Sequence, residues 1–235
     1  MILFTCALLG FATADLIRWS PLPVSNRRSL LALGGATAAT VVLACLSDMG
    51  FAAVVLTGIA TLIAVGAWVR LDGNRVAGPL TLIGVVFLVL FLLSGEAEAG
   101  FGPLENWYLD LPFGFVDTVS VDRFMLALTA FLFLLSTTNR IVRLVLDAAG
   151  TPAEDSEGDL KGGRVLGPME RLTIAALILS GNPEGIAIVF AAKGLLRFPE
   201  IRDSHDKNAT EYFLIGTFAS LLLAAGVALL ISGAR

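Results

Sequence analysis

Charge is scarce in this chain. Only 15% of its 235 residues are Asp, Glu, Lys or Arg, against about 25% in a soluble domain. Histidine occurs once, as His205 in a charged stretch, and with no cysteine beside it no metal site is expected. The two cysteines, Cys6 and Cys45, stand apart inside apolar runs without a CxxC spacing. Each reads as a small buried hydrophobe rather than half of a disulfide or redox pair. An excess of basic residues is missing as well. The formal net charge is −4, which offers no electrostatic footprint for DNA or RNA. Also absent are a glycine-rich phosphate loop ending in Lys, a paired-histidine metal motif and a GxSxG nucleophile elbow. No catalytic constellation emerges, and no cofactor or nucleic-acid partner is expected.

What is present is oil. Hydrophobic residues make up 56% of the chain, and the mean hydropathy is +0.84. That composition excludes a disordered segment and argues against a soluble enzyme. A bilayer helix needs roughly 20 residues, so the length allows several spans. Lipid cannot satisfy an open backbone, so the apolar runs read as helices. They cover 1–17, 30–46, 51–69, 76–93, a fifth from about 122 to about 147, and 210–232. Ala12-Thr13-Ala14 has the form of a signal-peptidase site, but no Lys or Arg precedes the first run, so that run reads as a retained span.

The basic residues set an orientation. Arg18, Arg27 and Arg28 follow the first run, and Arg70 and Arg75 join the third to the fourth. Arg140, Arg143, Lys161 and Arg164 follow the fifth, and Arg197, Arg202 and Lys207 precede the last. All fall in the cytoplasm if both termini lie outside. The loop 94–121 carries Glu96, Glu98, Glu105, Asp110 and Asp117 but no Lys or Arg, so it is expected outside. Its Trp107, Tyr108, Phe113 and Phe115 read as interfacial anchors, with a functional lid as the alternative reading of the loop. Asp15 and Arg18, three apart, read as a local pair at the inner interface. Residues 150–163 are acidic and Gly-rich without hydrophobic periodicity, which describes a flexible cytoplasmic linker. The expected organisation is an N-terminal bundle over 1–149, this linker, and a C-terminal hairpin plus last span over 164–235.

The segment 165–198 is different. Its two apolar runs are split by Gly181-Asn182-Pro183-Glu184-Gly185, which makes a turn and not a helix interior. Each arm has about fifteen residues, or about 22 Å at 1.5 Å per residue, short of the roughly 30 Å hydrocarbon core. The pair is either a re-entrant hairpin or two short spans. A fold through the tip puts Glu170 level with Leu195, so Lys193 and Arg197, four apart on one helix face, straddle it. A pair of Glu170 with one of them is expected, either as a structural interfacial pair or as part of a substrate or ion site. Glu184 at the head of the second arm reads as a helix cap or, with Asn182, as the polar tip of a broken intramembrane helix.

The residues Gly163-Arg164-x-x-Gly167, Glu170-Arg171, Ala191-Ala192-Lys193, Arg197-Phe198-x-Glu200 and Glu211-Tyr212-x-x-Ile215-Gly216-Thr217-x-x-Ser220 form one pattern over about the last seventy positions. It resembles the C-terminal part of a bacterial integral-membrane family catalogued as a domain of unknown function. The resemblance implies a polytopic protein of the bacterial inner membrane and carries no substrate with it.

Small residues recur in steps of four in the last run, at Gly216, Ser220, Ala224, Ala228 and Ser232. Such a stripe lets a second helix approach closely, within the chain or in a homo-oligomer or partner protein. The sequence therefore predicts an all-α, polytopic transmembrane bundle in contact with membrane lipids. A transporter-like or channel-like protein is the leading functional reading, with a candidate polar site at Glu170, Asn182, Glu184, Lys193 and Arg197. The alternatives are a non-transporting anchor, sensor or signalling subunit for a cytosolic partner and, third, a lipid-acting membrane enzyme.

Overall fold

The computed structural model describes residues 1–19, 26–71, 77–93, 102–150, 163–203 and 207–233; the side chains of 163–165, 196–203, 207–209 and 212 fall outside the description. The linker 150–163, apart from its two end residues, and His205 are therefore beyond the described residues. The described residues form helices joined by turns, with no strand among them. In chain order the helices are α1 (Ile2–Arg18), α2 (Asn26–Cys45), α3 (Phe51–Arg70), α4 (Ala77–Leu93), α5 (Pro103–Leu109), α6 (Val121–Leu135), α7 (Thr137–Ala148), α8 (Gly163–Leu179), α9 (Gly185–Asp203) and α10 (Lys207–Gly233).

The protein is an all-α helical bundle with the marks of a membrane protein. Asn26–Cys45, Phe51–Arg70 and Phe213–Gly233 are each long and apolar enough to cross a bilayer, and α6 with α7 passes the same test as one broken span. The fourth run, expected as a full span, forms the shorter apolar helix α4. Its 17 residues reach about 26 Å. Side chains such as Phe51, Ile63, Phe91 and Leu92 stand exposed on α3 and α4. Lipid tails cover such a surface at no hydrophobic cost.

Two compact units divide the chain, one over Met1–Thr137 and one over Thr138–Gly233. The break falls inside the expected fifth run. At Ser136 the helix stops. The Ser136 hydroxyl donates both to Leu132 O at 2.8 Å and to Ala12 O on α1 at 3.2 Å. Ser-Thr-Thr in succession supplies hydroxyls that compete for backbone carbonyls, so the run ends as α6 and restarts as α7.

In the first unit α1 is the central helix. Its Ile2, Phe4, Leu8, Phe11 and Ala14 are all buried, which is what a helix apolar on every face requires. It packs chiefly on α2 and α6. Gly10 permits the approach of α3, since a Cβ there would sit 3.1 Å from a Thr61 methyl. Phe11 meets Trp68 edge to face at 5.7 Å. Trp68 Nε1 donates to both carboxylate oxygens of Asp15, at 3.1 and 3.2 Å. Asp15, expected as a local partner of Arg18, thus makes a tertiary bond across 53 residues.

The loop before α6 corrects one expectation. Tyr108 is not an interfacial anchor: it is 1% exposed. It packs with Ile2, Cys6, Leu43, Val121 and Met125, and its hydroxyl donates to Val119 O at 2.8 Å. Burial raises its pKa above the ordinary phenol value. Trp107, Phe113 and Phe115 do stay exposed. Cys6 is buried but Cys45 is exposed, and both are free thiols.

In the second unit α8 and α10 pack most extensively. The small-residue stripe does this. Ser220, Ala224 and Ala228 are buried, while Leu222 and Leu229 stand exposed on the other side of α10. At Gly216 a Cβ would only touch Leu146 and Val142 of α7 at ordinary contact distance.

Candidate functional site

The site grows from the way the hairpin closes. Gly181 takes φ +74°, a left-handed conformation that costs a side-chain-bearing residue about 1–2 kcal/mol. Asn182 N–H then donates to Leu177 O at 2.9 Å and Gly181 N–H to Ile178 O at 3.1 Å. These two bonds are a Schellman C-cap, which satisfies the last carbonyls of α8. Pro183 follows, where it cannot prolong the helix. Gly185 opens α9 at a point where a Cβ would lie 2.8 Å from Leu177 Cδ2. The two glycines therefore have different reasons, one of conformation and one of space.

Asn182 and Glu184 sit exposed at this tip. Asn182 Nδ2 donates back to Ser180 O at 3.0 Å. Glu184 does not cap α9 with its carboxylate. The first amides of α9, at Gly185, Ile186 and Ala187, are taken instead by the backbone carbonyls of Asn182, Pro183 and Glu184.

Farther along the arms the expected ion pair is present. Lys193 Nζ lies 2.5 Å from Glu170 Oε2, with side chains 22% and 14% exposed. Of the two cations that straddle Glu170, Lys193 makes the bond; the side chain of Arg197 falls outside the described residues. Lys193 also stands over the Phe213 ring, 5.9 Å from its centre.

Sequence reasoning passed over the residue that ties this pair into the bundle. Arg171 is 2% exposed. It donates through Nη2 to Asn139 Oδ1 of α7 and through Nη1 to Ser220 Oγ of α10 at 3.4 Å. Its Nε is buried without a partner among the described residues. The missed signal was positional. Neighbouring residues point about 100° apart on a helix, so Glu170 and Arg171 cannot both face α9. Arg171 shares its face with the buried Ile174 and Ala175.

Glu170, Lys193, Thr217 and Ser220, with Ile174, Val189, Phe190 and Leu221, line one small cleft with room for about one water molecule. The five candidate residues are thus not one site. Glu170 and Lys193 come together, with Arg171, Asn139, Thr217 and Ser220 added. Asn182 and Glu184 lie about 13 Å or more away along the helices.

No family model matches the chain, and no curated protein or solved structure matches it either.

Proposed function

We propose that this chain is a small polytopic transporter-like or channel-like membrane protein whose C-terminal hairpin helps build a polar site inside the bilayer. One observation carries the reading. Arg171 bonds to Ser220, and Ser220 lies three residues, or about 4.5 Å, from the centre of the apolar span Phe213–Gly233. The Arg171 guanidinium thus sits near the mid-depth of that span, and the Glu170–Lys193 pair lies between it and the end of the span, where Lys193 stands over Phe213. Ionisable groups there are expensive and mark ion or substrate paths. From Arg171 to Gly181 is ten residues, about 15 Å, or half the hydrocarbon thickness. A hairpin of two short spans then carries the exposed Asn182 and Glu184 to the headgroups, where their polar groups are solvated. A re-entrant hairpin would leave them in lipid. The basic loops and the C-terminal resemblance support a bacterial inner-membrane protein with both termini outside.

The test is flux. Purified protein reconstituted in liposomes should dissipate an imposed gradient of a small ion, read by a membrane-potential or pH dye. Glu170→Gln and Lys193→Met should reduce that flux at least tenfold while the protein remains monodisperse. Vesicles as tight as protein-free controls for protons, alkali cations and halides would overturn the reading. Co-purification of a cytosolic protein by the same tight preparation would then favour the anchor or sensor reading.

A further inference from the structure

The cluster carries more positive charge than negative. Glu170 neutralises Lys193 by direct contact. The hydrogen-bond partners of Arg171, Asn139 and Ser220, are neutral. One positive charge is therefore left over among the described residues of the cluster, on a side chain that is 2% exposed. Glu170 also acts on Arg171 through space, so two cations share one carboxylate, and the usual remedy for such a buried excess is a further partner of opposite sign.

The cleft beside it offers the right donors. A serine or threonine inside a helix commonly turns its hydroxyl back onto a carbonyl three or four residues earlier. Thr40, Thr129, Thr173 and Ser232 all do so here. Thr217 and Ser220 do not: among the described residues the only hydrogen bond at either hydroxyl is the one Ser220 accepts from Arg171. Both residues are buried and both line the cleft. Because Ser220 uses a lone pair on Arg171, its proton remains free to be donated. The Lys193 ammonium has three N–H groups and spends one on Glu170. Ile174, Val189, Phe190 and Leu221 form the rest of the wall.

From this arrangement we infer that the cleft between α8, α9 and α10 binds one small monovalent inorganic anion of halide size. The inference rests on the reading of the hairpin as an intramembrane polar site and names its ligand class. The size of the cleft, about one water molecule, suits a single halide ion. The Glu170 carboxylate on the same wall repels an anion, so binding depends on Lys193 and Arg171 together outweighing it. Thr217 and Ser220 supply O–H donors, Lys193 supplies N–H, and Arg171 behind Ser220 supplies the excess charge.

The test is thermal unfolding of the full chain in lipid nanodiscs at constant ionic strength, with sodium chloride or bromide replacing sodium gluconate. Gluconate is too large for the cleft. The midpoint should rise with halide and saturate. Thr217→Val and Ser220→Ala, alone and together, should weaken the apparent halide affinity about tenfold or more, since each removes a hydrogen bond to a charged ligand. Equal midpoints in halide and gluconate would overturn the proposal and leave water as the occupant. An unchanged halide response in the folded Thr217→Val protein would overturn it too, because the anion would then act elsewhere. If Ser220→Ala fails to fold, Thr217→Val alone carries the test, since it touches no other described hydrogen bond. The outcome is separable from flux. A halide response without transport supports the site and removes the transporter reading, whereas flux of another ion without a halide response removes only the ligand class.

Discussion

Glu170 and Arg171 are adjacent in sequence and do different work because α8 turns by about 100° between them. Glu170 meets Lys193 across the hairpin, partly exposed. Arg171 turns into the bundle toward Asn139 and Ser220. Removing one partner of a fully buried pair costs about 3–5 kcal/mol and of an exposed pair about 0–1. With both side chains partly covered, Glu170→Gln should destabilise the protein by about 2 kcal/mol, measured by denaturant titration in mixed micelles. The double variant Glu170→Gln with Lys193→Met should recover most of that loss, because it leaves no unpaired charge. A double variant no better than the single would place Lys193 outside the pair's energetics. In α5, Tyr108→Phe should cost about 1 kcal/mol, the worth of its bond to Val119 O, in the same titration.

At the scale of elements the hairpin is held by two glycines. Gly181→Ala should cost about 1 kcal/mol by forcing a Cβ into the left-handed region. Gly185→Val should cost about 1–3 kcal/mol by pushing Leu177 aside. Gly226→Ala on α10 is the control: nothing lies within 4 Å of its Cβ position, so that variant should be neutral or slightly more stable. The small-residue stripe makes the same kind of claim for α10. Ala224→Leu should disturb folding, because Ala224 is 0% exposed, whereas Leu222→Ala and Leu229→Ala change only exposed surface. Heat-stability profiles by size-exclusion chromatography separate these cases, and equal tolerance at all three positions would mean the stripe faces lipid.

For the whole molecule, the distribution of Lys and Arg predicts the topology. In a background with Cys6 and Cys45 replaced by Ala, single cysteines at 150–163 should resist an impermeant thiol reagent in intact cells. A single cysteine at 98–105 should react. The opposite pattern would invert the orientation. Cys45 needs replacing first because its thiol is exposed and would add its own signal.

Composition alone determined that this chain is helical and apolar enough for membranes, because lipid leaves the backbone no cheap alternative to the helix. The turn was legible at Gly181 to Gly185, since proline and glycine act locally. The Glu170–Lys193 pair was legible to within one helical turn, since a tight hairpin sets its own register. What only the tertiary structure decided depends on which faces meet. At the break, the Ser136 hydroxyl reaches Ala12 O, 124 residues away, a contact that the local Ser-Thr-Thr run cannot announce. Tyr108 is buried because α1, α2 and α6 residues close around it. Arg171 joins the site because α7 brings Asn139 and α10 brings Ser220. Hydropathy cannot express such contacts: it records how oily a helix is, not which neighbour each face receives.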